Sequence, residues 1–253
     1  MNQLMSTSYE PSLVILSFVI AAVGAFVALT ASAGIVGAGR RVNFFNAVAS
    51  GVALGGIGVW AMHFVGMLAL RVNMGVSYSV GETLVSLVAA AGASAAALLW
   101  VARDPGSLPR IVGAGTLLGL GVCVMHYLGM YGMRFAGYFE WAWDTVAASV
   151  AIAVVAATAA LWLAFSVRSL RARFAASLVM AAAVCSMHYT GMQAASFICT
   201  SPTRAYPQGA WLITALELPV LVSTVAFAMA GMIFIDQMVL RLAARERGQA
   251  QSA

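Results

Sequence analysis

The 253-residue sequence contains no lysine and few charged residues of any kind. Charged side chains make up 8% of it and hydrophobic ones 62%, whereas a typical soluble domain has roughly 25% charged and 45–50% apolar residues. The thirteen basic residues are all arginines. This composition excludes an ordinary soluble domain and indicates a protein that lies mostly within a membrane.

The sequence also lacks the short motifs of common catalytic sites. It has no Gly-x-Ser-x-Gly, no His-Glu-x-x-His, no phosphate-binding glycine loop and no pair of carboxylates near a histidine, so we do not expect an enzyme. Its arginines lie at the ends of apolar runs, so we expect no nucleic-acid partner. The three cysteines do not form a disulfide framework, and we expect them to be free.

Seven apolar stretches are long enough to cross a bilayer as helices, since about 20 residues suffice. They lie at about 12–36, 44–70, 78–101, 111–133, 144–167, 174–197 and 212–238. We therefore predict an all-α, polytopic membrane protein in contact with lipid. Its membrane domain covers residues 12–240, between a short external segment at 1–11 and a cytoplasmic tail at 241–253.

The arginines predict the orientation, because basic residues accumulate in cytoplasmic loops. Ten of the thirteen follow the first, third, fifth or seventh span, and the opposite loops hold only Arg71, Arg134 and Arg204. We predict that the amino terminus lies outside the cell and the carboxyl terminus in the cytoplasm.

Histidine is equally scarce, and its three copies recur in one phrase. The segments are AMHFVGM at 61–67, VMHYLGM at 124–130 and SMHYTGM at 186–192, which contain His63, His126 and His188. Separations of 63 and 62 residues indicate an internal repeat. We predict three parallel two-helix repeats at about 12–72, 78–135 and 144–198, followed by an extra seventh helix at about 212–238.

Parallel repeats place the three histidines at one depth. Each lies roughly seven residues before its predicted helix ends, which corresponds to about 10 Å below the outer boundary at 1.5 Å per residue. An ionisable residue at membrane depth is costly and normally serves a function. We expect the three imidazoles to meet at one site.

Sulfur-containing side chains recur around each histidine. At 100° per residue, the methionine four positions later can share the histidine's face, whereas the preceding methionine borders that face and is a weaker candidate. The first set is Met67, Met130 and Met192, and the second is Met62, Met125 and Met187. Cys123 and Cys185 lie three residues before two of the histidines. Glycines at 66, 129 and 191 clear space beside the imidazoles.

Imidazole with soft sulfur donors suits copper, especially Cu(I). Zinc, which favours tetrahedral Cys and His ligands, and haem with axial His or Met are alternatives, and methionine can also serve as a core filler. Glu217, just before Pro219, is the one carboxylate outside the repeats that could reach the cluster. A solvated interfacial role is the other interpretation of this residue.

At these motifs the sequence resembles the MHYT family of bacterial integral-membrane sensor domains, named for Met-His-Tyr-Thr. The letters MHYT stand at 187–190, with MHYL at 125–128 and MHFV at 62–65, and the resemblance covers nearly the whole chain. It implies a site near the outer face of the cytoplasmic (inner) membrane. It also implies a bound metal, copper, through which oxygen, carbon monoxide or nitric oxide is sensed.

The resemblance further implies that Tyr127 and Tyr189 donate hydrogen bonds to the metal-binding residues, although Phe64 replaces tyrosine in the first copy. Many members join the sensor to a cytoplasmic signalling domain, whereas about a dozen residues follow the last span here. We expect either a stand-alone member with a separate cytoplasmic partner or an excised sensor. A copper carrier, a membrane scaffold and a purely structural role for the histidines are the competing hypotheses.

Overall fold

The computed structural model describes residues 3–37, 41–201 and 205–252, and in this part of the chain helices predominate. The helices are α1 Pro11–Ser32, α2 Phe44–Gly51, α3 Met62–Ala69, α4 Val80–Ala102, α5 Leu108–Tyr131, α6 Trp143–Ser166, α7 Leu170–Gln193 and α8 Leu218–Ser252. A π-helical segment, Val52–Ala61, joins α2 to α3 into one continuous rod. Two arginines used to predict the orientation, Arg40 and Arg204, lie outside the described residues.

Seven helical rods within the described residues are long and apolar enough to cross a membrane. The chain is therefore a multi-pass membrane protein in contact with lipid, and the predicted all-α architecture with seven spans is confirmed. The last helix begins at Leu218 instead of near residue 212 and continues to Ser252.

The ends of several helices follow from local sequence. Pro11 opens α1, where the missing N–H of proline has no intrahelical partner to lose. The side chain of Asn43 accepts a hydrogen bond from the backbone N–H of Asn46 at the start of α2, and Ser169 caps α7 in the same way. These caps fix where two of the three histidine-bearing rods begin.

The rods form one bundle in which neighbours along the chain pack together. Helix α5 packs between α4 and α6, α7 packs between α6 and α1, and the rod from α2 to α3 packs against α1, α4 and α8. Glycines allow the closest approaches: a Cβ at Gly51 would lie 2.6 Å from the Cα of Ala95, and one at Gly119 would lie 2.7 Å from the Cα of Val154. Such small residues let transmembrane backbones touch.

The π-helical segment compensates for one additional residue in the first repeat. His63 lies 19 positions after Phe44, the first residue of its rod, whereas His126 and His188 each lie 18 positions after the first residue of α5 and α7. A π turn contains one more residue than an α turn. The wider turn therefore brings His63 to the same level as the other two histidines.

Among the described residues, eight short strands lie in the segments between the helices and before α1, at the end of the bundle where the histidine helices end. They are β1 Gln3–Leu4, β2 Thr7–Tyr9, β3 Leu70–Val72, β4 Ser77–Ser79, β5 Met133–Arg134, β6 Gly137–Trp141, β7 Ala195–Cys199 and β8 Leu212–Thr214. They form three antiparallel sheets in the orders β1-β7-β6, β2-β3 and β5-β4-β8. We call these sheets the strand cap, because β3, β5 and β7 continue directly from the ends of α3, α5 and α7.

Candidate metal centre

The three histidines meet at one point inside the bundle. Their Nδ1 atoms form a triangle with sides of 3.1 Å between His63 and His188, 3.2 Å between His126 and His63, and 3.3 Å between His188 and His126. All three side chains are fully buried. Each lies five or six residues before the end of its helix, just below the strand cap.

The size of this triangle fits a metal ion. A point at the centre of three atoms 3.1–3.3 Å apart lies about 1.9 Å from each, and a slight displacement out of their plane gives the roughly 2.0–2.1 Å of a metal–imidazole bond. Among the described residues, this is the only group of three or more histidine, cysteine or carboxylate side chains close enough to share an ion. Three buried imidazoles can thus bind a metal.

The chemistry of imidazole also favours a cation at this point. In a neutral imidazole one nitrogen carries a proton and the other a lone pair. Within the Nδ1 triangle only one N–H can donate to the lone pairs of the other two, which then face each other without a donor between them. A cation at the centre would accept all three lone pairs at once, with the protons on Nε2.

Each imidazole rests on a glycine of the next repeat. A Cβ at Gly129 would overlap the Nε2 atom of His63. By the same relation, a Cβ at Gly191 would overlap His126, and one at Gly66 would overlap His188. The contacts therefore run in a closed ring from the first repeat to the second, to the third and back. The sequence predicted open space beside the histidine of the same helix, but the structure fills that space with a histidine of another repeat.

The Nε2 atoms of all three histidines are buried and have no hydrogen-bond partner in the described part of the chain. Metal-bound histidines usually donate this N–H to a carbonyl, a carboxylate or water. Here the ring edge lies against the glycine backbone instead. Shape, rather than a hydrogen bond from a side chain, therefore holds each ring in place.

The six motif methionines are all buried, and none is more than 2% exposed. Met62 packs with Ala21, Ala181 and Cys185 on one side of the bundle, and the other five belong to the main core. Which of their sulfur atoms bind the ion stays a prediction.

The aromatic residue after each histidine packs against that histidine's own ring. Phe64, Tyr127 and Tyr189 each place a ring edge-on to the preceding imidazole, with ring centres 4.8 Å apart. The two tyrosine hydroxyls bond elsewhere, to Ser149 at 2.6 Å and to Ser17 at 2.9 Å. Because the common contact is made by the ring, phenylalanine can occupy this position in the first repeat.

Other residues singled out in the sequence lie outside the histidine triangle. Cys123 and Cys185 are buried and free, and neither belongs to the group of side chains that could share the ion. Glu217 is exposed and accepts hydrogen bonds from the backbone N–H and hydroxyl of Thr214, at 2.8 and 3.0 Å, which lower the pKa of its carboxyl group. Glu217 therefore takes the solvated position that was the alternative interpretation.

Aromatic side chains of the strand cap pack against one another and against the tyrosine that follows His126. Strand β6 alternates, with Phe139 and Trp141 facing inward and Tyr138 outward. Trp141 packs against Tyr127, and Phe139 packs against the buried Phe197 of β7. The sequence alone did not indicate that these residues lie near the site. The period of two within Gly137–Trp141 is the signal that could have identified them.

Two ion pairs connect the strand cap to the helices. Arg71 pairs with Glu10 at 3.0 Å, and Arg134 pairs with Glu82. Both arginines lie eight residues after their histidines, so the repeat conserves this position within the chain. Each pair neutralises a basic residue at the end of the bundle that holds the metal centre.

Comparison with known families identifies the repeat. The sequence model of the MHYT family, described as "Bacterial signalling protein N terminal repeat", matches residues 56–114, 119–177 and 182–244. Each match begins within a histidine helix and extends into or through the helix that follows. The family repeat therefore has the same period as the repeats predicted from the sequence. Its units begin within the histidine helix, whereas the predicted units begin with the helix before it.

The chain is also similar to curated signalling proteins. It is 34% identical over 88% of its length to the bifunctional diguanylate cyclase/cyclic di-GMP phosphodiesterase MucR of Pseudomonas aeruginosa, and 34% identical over 76% to the cyclic di-GMP phosphodiesterase NbdA of the same organism. It is 28% identical over 75% to the signaling protein YkoW of Bacillus subtilis. The aligned regions cover 33%, 25% and 24% of these relatives. No solved structure matches.

Proposed function

The chain belongs to the MHYT family of bacterial signalling proteins, and we propose that it is a membrane sensor whose three histidines hold a copper ion. The observation that supports this proposal is the triangle of buried Nδ1 atoms, whose size suits one ion. Imidazole nitrogens serve zinc, iron, nickel and copper alike. The choice of copper rests on the sulfur atoms nearby.

The methionines favour copper over the other metals. Met67, Met130 and Met192 are buried one helical turn after the three histidines, where a thioether could complete the coordination. Thioether sulfur is a soft ligand that selects Cu(I), whereas structural zinc has no use for methionine. Haem is disfavoured, because three Nδ1 atoms within 3.3 Å of one another leave no room between them for a macrocycle.

We propose that the sensed signal is a diatomic gas or a change of redox state at the copper. When bound, the ion supplies a centre whose preferred ligand geometry changes with its oxidation state and ligands. The protein's own part is to convert that change into movement. Because each imidazole rests on the next repeat's glycine, displacing one ring shifts all three histidine helices together. A ligand that favours one arrangement of these helices then biases the bundle toward that arrangement.

We propose that the movement is read in the cytoplasm by a signalling domain or partner. Two relatives bear names of enzymes that make or degrade cyclic di-GMP, and this chain spans a quarter to a third of their length. We further propose that the metal centre faces the outside. The arginine pattern supports this orientation, and Arg71 and Arg134, which deviate from the pattern, are paired with carboxylates.

The surroundings of the centre favour a sensor over a copper carrier. An ion that moved on through the bundle would need polar ligands along its path. One turn before the histidines, the three helices instead present Val59, Val122 and Val184 to a common cavity. Copper uptake into proteoliposomes that depends on the histidines would favour the carrier.

Metal analysis tests the proposal directly. Wild-type protein purified after growth with copper is expected to contain about one copper ion per chain, and the triple variant His63→Ala, His126→Ala, His188→Ala almost none. A second triple variant, with leucine at positions 67, 130 and 192, should fold and retain copper but bind Cu(I) more weakly. Equal copper content in the wild type and the histidine variant would refute the proposal.

A further inference from the structure

A small, partly enclosed cavity lies between the helices of the bundle next to the metal centre. Its volume is about 50 Å³. Val59, Val122 and Val184 line it, and each lies four residues before its repeat's histidine. Along α5 and α7, four residues correspond to one turn, or about 6 Å, and Val59 holds the equivalent position in the π-helical segment before His63. The cavity therefore lies about one turn from the imidazoles.

All the side chains that line this cavity are apolar, and only a small part of its wall is formed by backbone polar atoms. Besides the three valines, the lining consists of alanine, leucine, methionine and glycine, including alanines of α1 and α6. A buried water needs two to four polar partners, and none of these side chains offers one. Apolar cavities of this kind stay dry and accept small apolar molecules such as xenon.

The size of the cavity limits what it can hold. A volume of about 50 Å³ exceeds the roughly 10–15 Å³ that one water requires but is far below the roughly 150 Å³ of a cavity that admits benzene. A molecule of two heavy atoms fits, whereas a ring does not. Alanines keep this space open, because a larger side chain at Ala25 or Ala157 would fill it.

We infer that this cavity is a docking site for a diatomic gas, one helical turn from the metal centre. The inference rests on the proposed function and adds to it the place where the gas resides in the protein. Carbon monoxide, nitric oxide and oxygen are nearly apolar, so they prefer this lining to water. A gas held there is concentrated beside the histidines.

Xenon is a suitable probe, because it requires neither copper nor chemistry. Crystals of the full chain pressurised with xenon should show an anomalous scattering peak among Val59, Val122 and Val184, with or without metal. The variants Ala157→Leu and Ala25→Leu, from two different helices, should lose that peak. Ala151→Leu, an exposed position on the same helix as Ala157, should keep it.

Carbon monoxide then tests whether the cavity serves the centre. With copper-loaded protein, Ala157→Leu and Ala25→Leu should bind carbon monoxide measurably more slowly than the wild type, because the gas is no longer held beside the centre, while their copper content stays unchanged. Ala151→Leu should match the wild type in both measurements. If one filling variant does not fold, the other still decides the outcome, together with the wild-type xenon peak.

The possible outcomes separate the two proposals. Absence of xenon from the cavity, or unchanged carbon monoxide binding in the filled variants, overturns the docking site and leaves the copper sensor intact. Xenon in the cavity together with copper that binds no gas in any variant overturns gas sensing. Xenon in the cavity together with slower gas binding in the filled variants supports both proposals.

Discussion

Replacement of Gly129 by alanine should disrupt the metal centre without removing any ligand. The added methyl group would overlap the Nε2 atom of His63 and lie 3.0 Å from its Cδ2. Ordinary contacts between heavy atoms are about 3.5–4.0 Å, so the imidazole would have to retreat by about 1 Å. Phe64, whose Cζ would lie 3.3 Å from the same methyl group, limits the space for that retreat.

A shift of this size is large for a metal ligand. Functional geometry must hold to within about 0.5 Å, and loss of a residue that orients a ligand typically costs 10- to 100-fold in metal affinity. We therefore expect Gly129→Ala to weaken copper binding by about 10- to 100-fold. Because the contacts form a closed ring, Gly66→Ala and Gly191→Ala should have effects of the same size.

Competition with a Cu(I) chelator measures this affinity. The matched control is Gly92→Ala, since a Cβ at that position of α4 meets nothing within 4 Å. Alanine also has a higher helix propensity than glycine, so this change should not destabilise α4. The control should bind copper like the wild type. Wild-type affinity in all three ring variants would refute the proposed contact between each histidine and the next glycine.

Two further predictions concern the tyrosines and the orientation. Tyr127→Phe should lower the free energy of unfolding by about 1 kcal/mol, because one hydrogen bond to Ser149 is lost, yet leave copper content unchanged; a loss of copper would show that the hydroxyl acts on the ligands. A membrane-impermeant maleimide applied to intact cells should label Cys199, the half-buried cysteine that follows α7, and Cys199→Ser should abolish labelling. Labelling only in inside-out vesicles would reverse the proposed orientation.

The spans and the meeting of the histidines were predictable, because both depend on information that is local or repeated. Apolar runs reveal the helices, and the predicted starts at 44 and 144 lie within one residue of Phe44 and Trp143. Three parallel copies of one motif place His63, His126 and His188 at one level in the membrane. A polar imidazole at that depth avoids lipid by facing the bundle interior, where the other two imidazoles lie.

The ring of glycine contacts was not predictable from one helix at a time. Helical spacing showed that Gly66 leaves a gap on its own helix, but the neighbour that fills the gap depends on how the repeats are arranged around their common axis. The structure places His188 there, from the repeat most distant along the chain. The direction of the ring is therefore a property of packing rather than of the motif.

The strand cap was missed because its strands are short and pair over long distances. Gln3 pairs with Cys199 and Ser77 pairs with Thr214, so no local periodicity reveals the partners. The solvated position of Glu217 was one of the two interpretations of the sequence, and its physical reason is that the last helix begins one residue later, at Leu218. The carboxylate therefore lies in the preceding turn, bonded to Thr214, instead of facing the bundle.

X-ray absorption at the copper edge of the purified, copper-loaded protein tests the central claim most directly. We expect three nitrogen ligands from imidazole at about 2.0 Å, with a sulfur contribution that disappears when positions 67, 130 and 192 are changed to leucine. Copper bound only by sulfur or oxygen in the wild type, or a triple histidine-to-alanine variant that still binds copper with an unchanged absorption spectrum, would contradict the account.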